Sequence, residues 1–285
     1  MSAIPRRAAI GPAEHALRAE LNGSAVVDRM VDNGPGAGAV DAGPAVEAVG
    51  ERTVDSTEIR VFPDVADIDS ILDRIGRPRE TRAHRLVMRV LDIVVSLTVL
   101  VVASPLILAI AAVIVLDSRG PAVFRQVRIG RDGRLFHFYK FRTMYADAAE
   151  RFPHLYAYDH SDDELPTLYF KLADDPRLTR FGRYLRRTSL DELPNFVNVL
   201  KGEMTLVGPR PEIPQMVRYY QPHELVKFAV KPGVTGLAQI SGRNILRFQE
   251  TIAHDLEYVR ARSLRFDLSV LRRTPGTVVR MIGAL

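Results

Sequence analysis

Asp191 and Glu192 are adjacent carboxylates that follow Arg186 and Arg187 and precede Leu193-Pro194. At the start of a helix, two such side chains point about 100° apart, so one can act as a nucleophile while the other holds a divalent cation. The helix N-terminus would add donors for a phosphate. Ser189 and Glu192 also have capping-box spacing, and Asp191 could itself cap the helix, which is a purely structural account of the same residues. Close behind, Val207-Gly208-Pro209-Arg210-Pro211-Glu212 reads as a rigid turn in which two prolines restrict the backbone around one guanidinium. That suits a phosphate or nucleotide contact. A second Asp-Glu-Leu-Pro, residues 163–166, lies in an acidic stretch and reads as a solvated loop.

The elements that must position these groups differ in character. Residues 121–144 read as extended segments around the turn Gly130-Arg131-Asp132-Gly133, and residues 177–202 as two helical pieces. Residues 231–242 are Gly-punctuated and read as a turn or hairpin, followed by a helical pattern through Ile252, Leu256 and Val259. Ahead of them, Asp67 can cap a small surface helix with Ile68, Ile71, Leu72 and Ile75 on one stripe, ended by Gly76 and Pro78.

The strongest physical signal is Ile93 to Leu116, 24 residues without a charge. As one helix it would cover about 36 Å, enough to cross a bilayer core. Ser104-Pro105 interrupts it at the middle, and proline kinks a helix. Arg77, Arg79, Arg82, Arg85 and Arg89 precede the run, while Arg119, Arg125, Arg128, Arg131 and Arg134 follow it. Positive charge marks the cytoplasmic side, so a helix that enters, bends at the Ser104-Pro105 break and returns is favoured over a tilted span. Either geometry places the chain in a lipid bilayer.

The totals agree with a membrane-bound, basic body. Lys and Arg number 39 against 34 Asp and Glu, but residues 1–80 carry a net −5 and the remainder +10. Such a body suits an anionic partner. Nucleic acid is disfavoured, because aromatics are not interleaved with the basic residues as stacking platforms. There is no Cys, so disulfide and thiolate-metal chemistry are excluded. None of the seven His has metal-ligand pairing. Residues 1–30 lack a sustained apolar run, so no signal peptide is expected, and residues 22–50 read as a Gly/Ala-rich tail.

Several blocks occur in order: Arg89 and Asp92, Ser104-Pro105, Gln126 through Gly130, Lys140-Phe141-Arg142-Thr143-Met144, and Asp175-Pro176-Arg177. Arg186 through Pro194, Asn198 through Met204, Gly208 through Glu212, Lys231 through Gln239 and Gly242-Arg243-Asn244 continue the series. Together they resemble the bacterial sugar transferase family, the monotopic phosphoglycosyl transferases that start glycan assembly on undecaprenyl phosphate. The resemblance covers about residues 84–275.

It implies an α+β, mostly helical fold, in which a re-entrant membrane helix hairpin precedes a small cytoplasmic-face catalytic domain with short strands. The expected organisation is an extension over 1–80, a basic lead-in and membrane helix over 81–118, a catalytic core over 119–222 and a C-terminal extension over 223–285. The implied reaction moves a sugar phosphate from a UDP-sugar to polyprenyl phosphate at the bacterial inner membrane, as a first step toward exopolysaccharide. Asp191 would be the nucleophile of a covalent intermediate and Glu192 the ligand of Mg²⁺. Lys140, Arg142, Arg186 and Arg128 would neutralise phosphates, and Pro209, Arg210 and Pro211 would face the uridine or its phosphates.

The basic residues have other readings. Lys140 and Arg142 alternate with Phe138 and Phe141, as on the wet face of a strand. Arg186 and Arg187 could anchor to anionic headgroups. The C-terminal region resembles longer members and implies a homodimer contact, while Phe248 stands where Trp is common. The competing reading is an inactive membrane scaffold of a glycan assembly complex.

Overall fold

The computed structural model describes residues 64–281, apart from positions 79, 162, 170, 171, 173 and 243–245. The expected N-terminal tail, Arg79 and the Arg243-Asn244 pair therefore lie outside the described residues.

Helix α1 (Ile68–Ile75) ends at Gly76, whose φ of 90° few other residues adopt. Ile68, Ile71 and Leu72 are buried, whereas Ile75 is 44% exposed. Rather than lying on the surface, α1 contributes to the main core with Ile129, Met216, Leu225, Phe228, Phe248 and Ile252. Asp67 stands at its N-cap without a side-chain bond, because its carboxylate closes a capping box with Asp64 across the preceding 3-10 turn.

The apolar run forms α2 (Arg82–Val102) and α3 (Ser104–Asp117), bent by 62° at Ala103. Pro105 lies in the first turn of α3, where its missing N–H is not needed, so the proline starts a helix instead of breaking one. Among the described residues no single helix is long and apolar enough to cross a membrane, whereas the bent pair together has the length and composition of one. A bend of this size belongs to a broken span or to a re-entrant loop.

The pattern on α2 is inverted relative to a soluble helix. Its buried stripe includes His84, Asp92 and Ser96, while Leu86, Val90, Ile93, Leu97 and Val101 are exposed. The buried polar groups tie to the body: His84 Nε2 lies 2.8 Å from Asp267 Oδ2, and Asp92 Oδ1 accepts from Thr205 Oγ1 at 2.9 Å and Leu206 N at 2.8 Å. On α3 only Ile110 and Ile114 are buried, while Leu108 and Leu116 are 71% and 85% exposed. An apolar face of this extent marks a surface that something else covers. Three arginines of the leading flank are held internally. Arg77 pairs with Asp69, Asp73 and Asp132; Arg85 bonds Glu80; and Arg89 donates to Val199 O and Leu200 O.

Strands β1 (Val123–Ile129) and β2 (Leu135–Phe141) form the expected antiparallel hairpin, with Val123 opposite Phe141 and Ile129 opposite Leu135. Its turn places Asp132 and Gly133 at φ of 59° and 76°. A short helix α4 (Ala148–Arg151) follows, then α5 (Arg180–Thr188) and α6 (Asn195–Lys201). The reading of residues 231–242 as a turn or hairpin is corrected. There β4 (Gly233–Thr235) pairs in parallel with β3 (Thr205–Val207), and α7 (Leu237–Gly242) follows. Helices α8 (Phe248–Ala261) and α9 (Leu264–Met281) complete the body.

One close approach sets the site's geometry. A Cβ at Gly182 would lie 2.0 Å from the carbonyl oxygen of Thr143, which accepts Thr179 N at 3.0 Å. This contact seats α5 on the end of β2. Gly182→Ala is therefore expected to force backbone apart, at a cost of about 3 kcal/mol, read as a lowered thermal midpoint in detergent.

Candidate active site

Asp191 and Glu192 sit on the 3-10 turn Leu190–Glu192, between α5 and α6. Ser189 ends α5 at a left-handed φ of 59°, reversing the chain so that both carboxylates point into the body. Ser189 stands at the N-cap of the turn without a side-chain cap bond. The capping box of the purely structural account does not form, and Pro194 stands at the N-cap of α6. The carboxylates thus precede the helix on a tight turn and do not ride its first turn. Leu190 and Leu193, flanking them, pack against an apolar cluster of Leu185, Phe141 and, from α3, Ile110 and Ile114.

Both carboxylates are buried, at 9% and 8% exposure. Burial of two adjacent anions requires opposing charge. Arg210 Nη1 donates to Glu192 Oε1 at 3.0 Å, and Glu192, with Asp191 adding to it, holds the guanidinium above its ordinary range. Burial lowers Arg186, while the fields of Asp191 and Asp175 oppose the change. Burial, followed by repulsion from Arg128 and Arg186, pulls Lys140 down to about 7, and Asp191 opposes that shift. Arg128 is lowered to about 10 by burial, with Glu212 opposing. Lys140, Arg128, Arg186 and Arg210 are thereby gathered around Asp191 and Glu192.

Each cation is positioned separately. Lys140 lies over the Phe124 ring at 5.3 Å. Arg186 Nε donates to Thr143 Oγ1 at 3.2 Å, and its Nη1 is 3.5 Å from Asp175. Asp175, with a side chain 1% exposed, also takes Arg177 at 2.8 Å. Arg128 donates to Gln126 Oε1 and, at 2.9 Å, to Pro211 O, so it pins the Pro209-Arg210-Pro211 turn. Pro209 O accepts Gly233 N at 2.8 Å on the turn's other side.

Arg142 is not brought to this cluster. Its guanidinium donates to the carbonyls of Ile114, Ser118, Arg119 and Gly120 and so caps the end of α3. Ser104 and Pro105 lie at the α2–α3 bend, where Ser104 Oγ donates to Val101 O at 2.8 Å.

The sequence reading missed the groups behind the site. Asp175 positions Arg186, and its only sequence signal was the Asp-Pro-Arg block. Glu212 accepts Tyr220 OH at 2.9 Å, while Lys227 Nζ reaches Tyr220 OH at 2.9 Å and Asp255 at 3.0 Å.

No group of three or more His, Asp or Glu residues that could enclose a metal occurs among the described residues. Mg²⁺ usually takes one or two carboxylates and fills its shell with substrate phosphates and water, a demand that the Asp191-Glu192 pair fits. Four cations facing two carboxylates also leave a positive excess suited to a diphosphate.

Residues 83–281 match the family model described as bacterial sugar transferase. The chain is 40% identical over 214 residues to an undecaprenyl-phosphate galactose phosphotransferase of Salmonella typhimurium, covering 75% of this chain and 45% of that one. A UDP-glucose:undecaprenyl-phosphate glucose-1-phosphate transferase of Escherichia coli is 38% identical over 196 residues, 66% of this chain and 39% of that one. A protein of the same description from Caulobacter vibrioides is 37% identical over 209 residues, 70% of this chain and 73% of that one. The chain spans about half the length of most of the curated relatives it matches. With a buried carboxylate pair inside the matched segment, the chain belongs to the bacterial sugar transferase family.

Proposed function

We propose that the chain transfers a sugar 1-phosphate from a UDP-sugar to polyprenyl (undecaprenyl) phosphate, with Asp191 as nucleophile. The observation that carries this reading is a buried carboxylate pair, set among four cations, on a turn whose flanking leucines join the apolar cluster that α3 enters through Ile110 and Ile114. An Asp191 oxygen attacks the sugar-side phosphorus, and the bond from that phosphorus to the oxygen of UMP breaks. A phosphate oxygen of the polyprenyl phosphate then attacks the same phosphorus, the bond to Asp191 breaks, and polyprenyl diphosphosugar leaves. Arg186 and Lys140 neutralise the transferring phosphates, and Arg210 orients Glu192. Mg²⁺ held by Glu192 would offset the charge of the diphosphate and of departing UMP.

The bent pair, re-entering the inner membrane from the cytoplasmic face, would hold the Asp191 turn at headgroup depth, where soluble donor and lipid acceptor meet. Dimerisation through residues 223–285 belongs to the same reading. The relatives' names include both galactose and glucose enzymes, so the donor is left to experiment. Purified protein with undecaprenyl phosphate and Mg²⁺ is expected to release UMP from one member of a UDP-sugar panel. Silence across the panel from folded protein would favour the scaffold.

Lys140 supplies a pH test. Its free-state pKa near 7 lies below the ordinary lysine value, and a bound diphosphate must raise it. Binding therefore takes up a proton above pH 7, and affinity falls as pH rises. KM for the UDP-sugar should increase about tenfold between pH 7 and 8.5, while Lys140→Met should start high and stay nearly flat. A wild-type KM independent of pH would remove Lys140 from the phosphate site.

A further inference from the structure

A cleft of about 480 Å³ opens between the β1–β2 turn, the C-terminal end of α6 and the first turn of α2. It shares no residue with the Asp191 cluster. Five cations line it, Arg85, Arg131, Arg134, Lys201 and Lys231, against two carboxylates, Asp132 and Glu203.

Both carboxylates are already engaged. Asp132 pairs with Arg77, which lies outside the cleft, and at 3.4 Å with Arg131 within it, and Glu203 accepts Asn198 Nδ2 at 2.7 Å. Arg85 and Arg131 share Glu80, and Lys201 donates to Tyr139 OH at 2.9 Å. Arg134 and Lys231 have no carboxylate within ion-pair reach among the described residues. Lys231 is half-buried, and burial together with the neighbouring Arg89 guanidinium pushes its ammonium down. Five cations against two carboxylates leave the cleft with a positive excess that Arg134 and Lys231 carry, and a multivalent oxyanion is the group that would relieve it.

We infer that this cleft is a second phosphate-binding site, which takes a phosphate group carried either by an anionic lipid headgroup or by a soluble phosphate compound. Arg85 belongs to the first turn of α2, the helix whose apolar face is exposed, so a headgroup phosphate has a direct approach. The site stands whether or not Asp191 is the nucleophile.

Inorganic pyrophosphate, titrated calorimetrically into the full chain in phosphatidylcholine nanodiscs, should lose one bound equivalent in Arg134→Gln/Lys231→Gln. Replacing phosphatidylcholine with phosphatidylglycerol distinguishes the sources. Wild type loses the same equivalent if headgroups fill the cleft and keeps it if they do not. Unchanged stoichiometry and affinity in the double variant would overturn the site. Should that variant fail to fold, Arg134→Glu, at an exposed position, is expected to weaken the same equivalent at least tenfold. Equal affinity in Arg134→Glu would overturn the site too.

Discussion

Asp191→Asn is expected to lower acceptor-dependent UMP release by at least about four orders of magnitude while leaving donor binding intact. The amide keeps the shape of the carboxylate and removes its nucleophilic oxygen. It also removes one of the two anions facing Lys140, Arg128, Arg186 and Arg210, so a dianionic donor meets a more positive site and should bind as tightly or more tightly. A residue that merely positioned the donor would give the opposite pattern, with affinity lost alongside rate. Glu192→Gln should lose less of the chemistry, because Asp191 remains, but should raise the Mg²⁺ concentration required. Wild-type protein without acceptor should release about one equivalent of UMP per site and retain the sugar phosphate on the peptide bearing Asp191. A residual rate above one-tenth in Asp191→Asn would end the covalent scheme.

Elements governed by local chemistry were legible in the sequence. The β1–β2 hairpin follows from alternating residues around Gly130-Arg131-Asp132-Gly133, and the α2–α3 break follows from Ser104-Pro105. The extent of the bend was not legible, because a proline in a helix's first turn allows a range of angles that packing decides. Lys140 and Arg142 looked equivalent at a spacing of two. The strand ends at Phe141, so the pleat no longer governs Arg142, and its guanidinium satisfies the carbonyls at the end of α3. The carboxylate pair was visible as charge, but its turn was not, because Ser189 adopts a left-handed conformation that a serine rarely takes. Pairing of β3 with β4 joins three-residue segments far apart in sequence, and no local period reports that.

The same limit hid the ion network behind the Pro-Arg-Pro turn, where the largest stability effect is expected. Lys227 is 2% exposed and Asp255 fully buried, 3.0 Å apart, and burial raises the Asp255 carboxyl even though Lys227 opposes it. Asp255→Ala would leave the buried ammonium with Tyr220 OH at 2.9 Å, the more distant Glu212 carboxylate at 3.9 Å and the rings of Tyr220 and Phe228. Removing the nearer carboxylate of a buried pair costs about 3 kcal/mol even with Glu212 in place, which should appear as a large drop in the thermal midpoint. Pairing the change with Lys227→Met removes the stranded charge, so the double variant should recover most of that loss. Activity tests the other end of the network. Glu212 follows Arg210 by two residues, and its carbonyl accepts Ile129 N at 2.9 Å, so loosening Lys227 frees the turn that sets Arg210 on Glu192. The recovered double variant is therefore expected to be stable yet slower than wild type by about tenfold. Recovery of stability with full activity would show that Arg128 and Gly233 hold the turn unaided. A double variant no more stable than Asp255→Ala would show that the network is not limited by its buried charge.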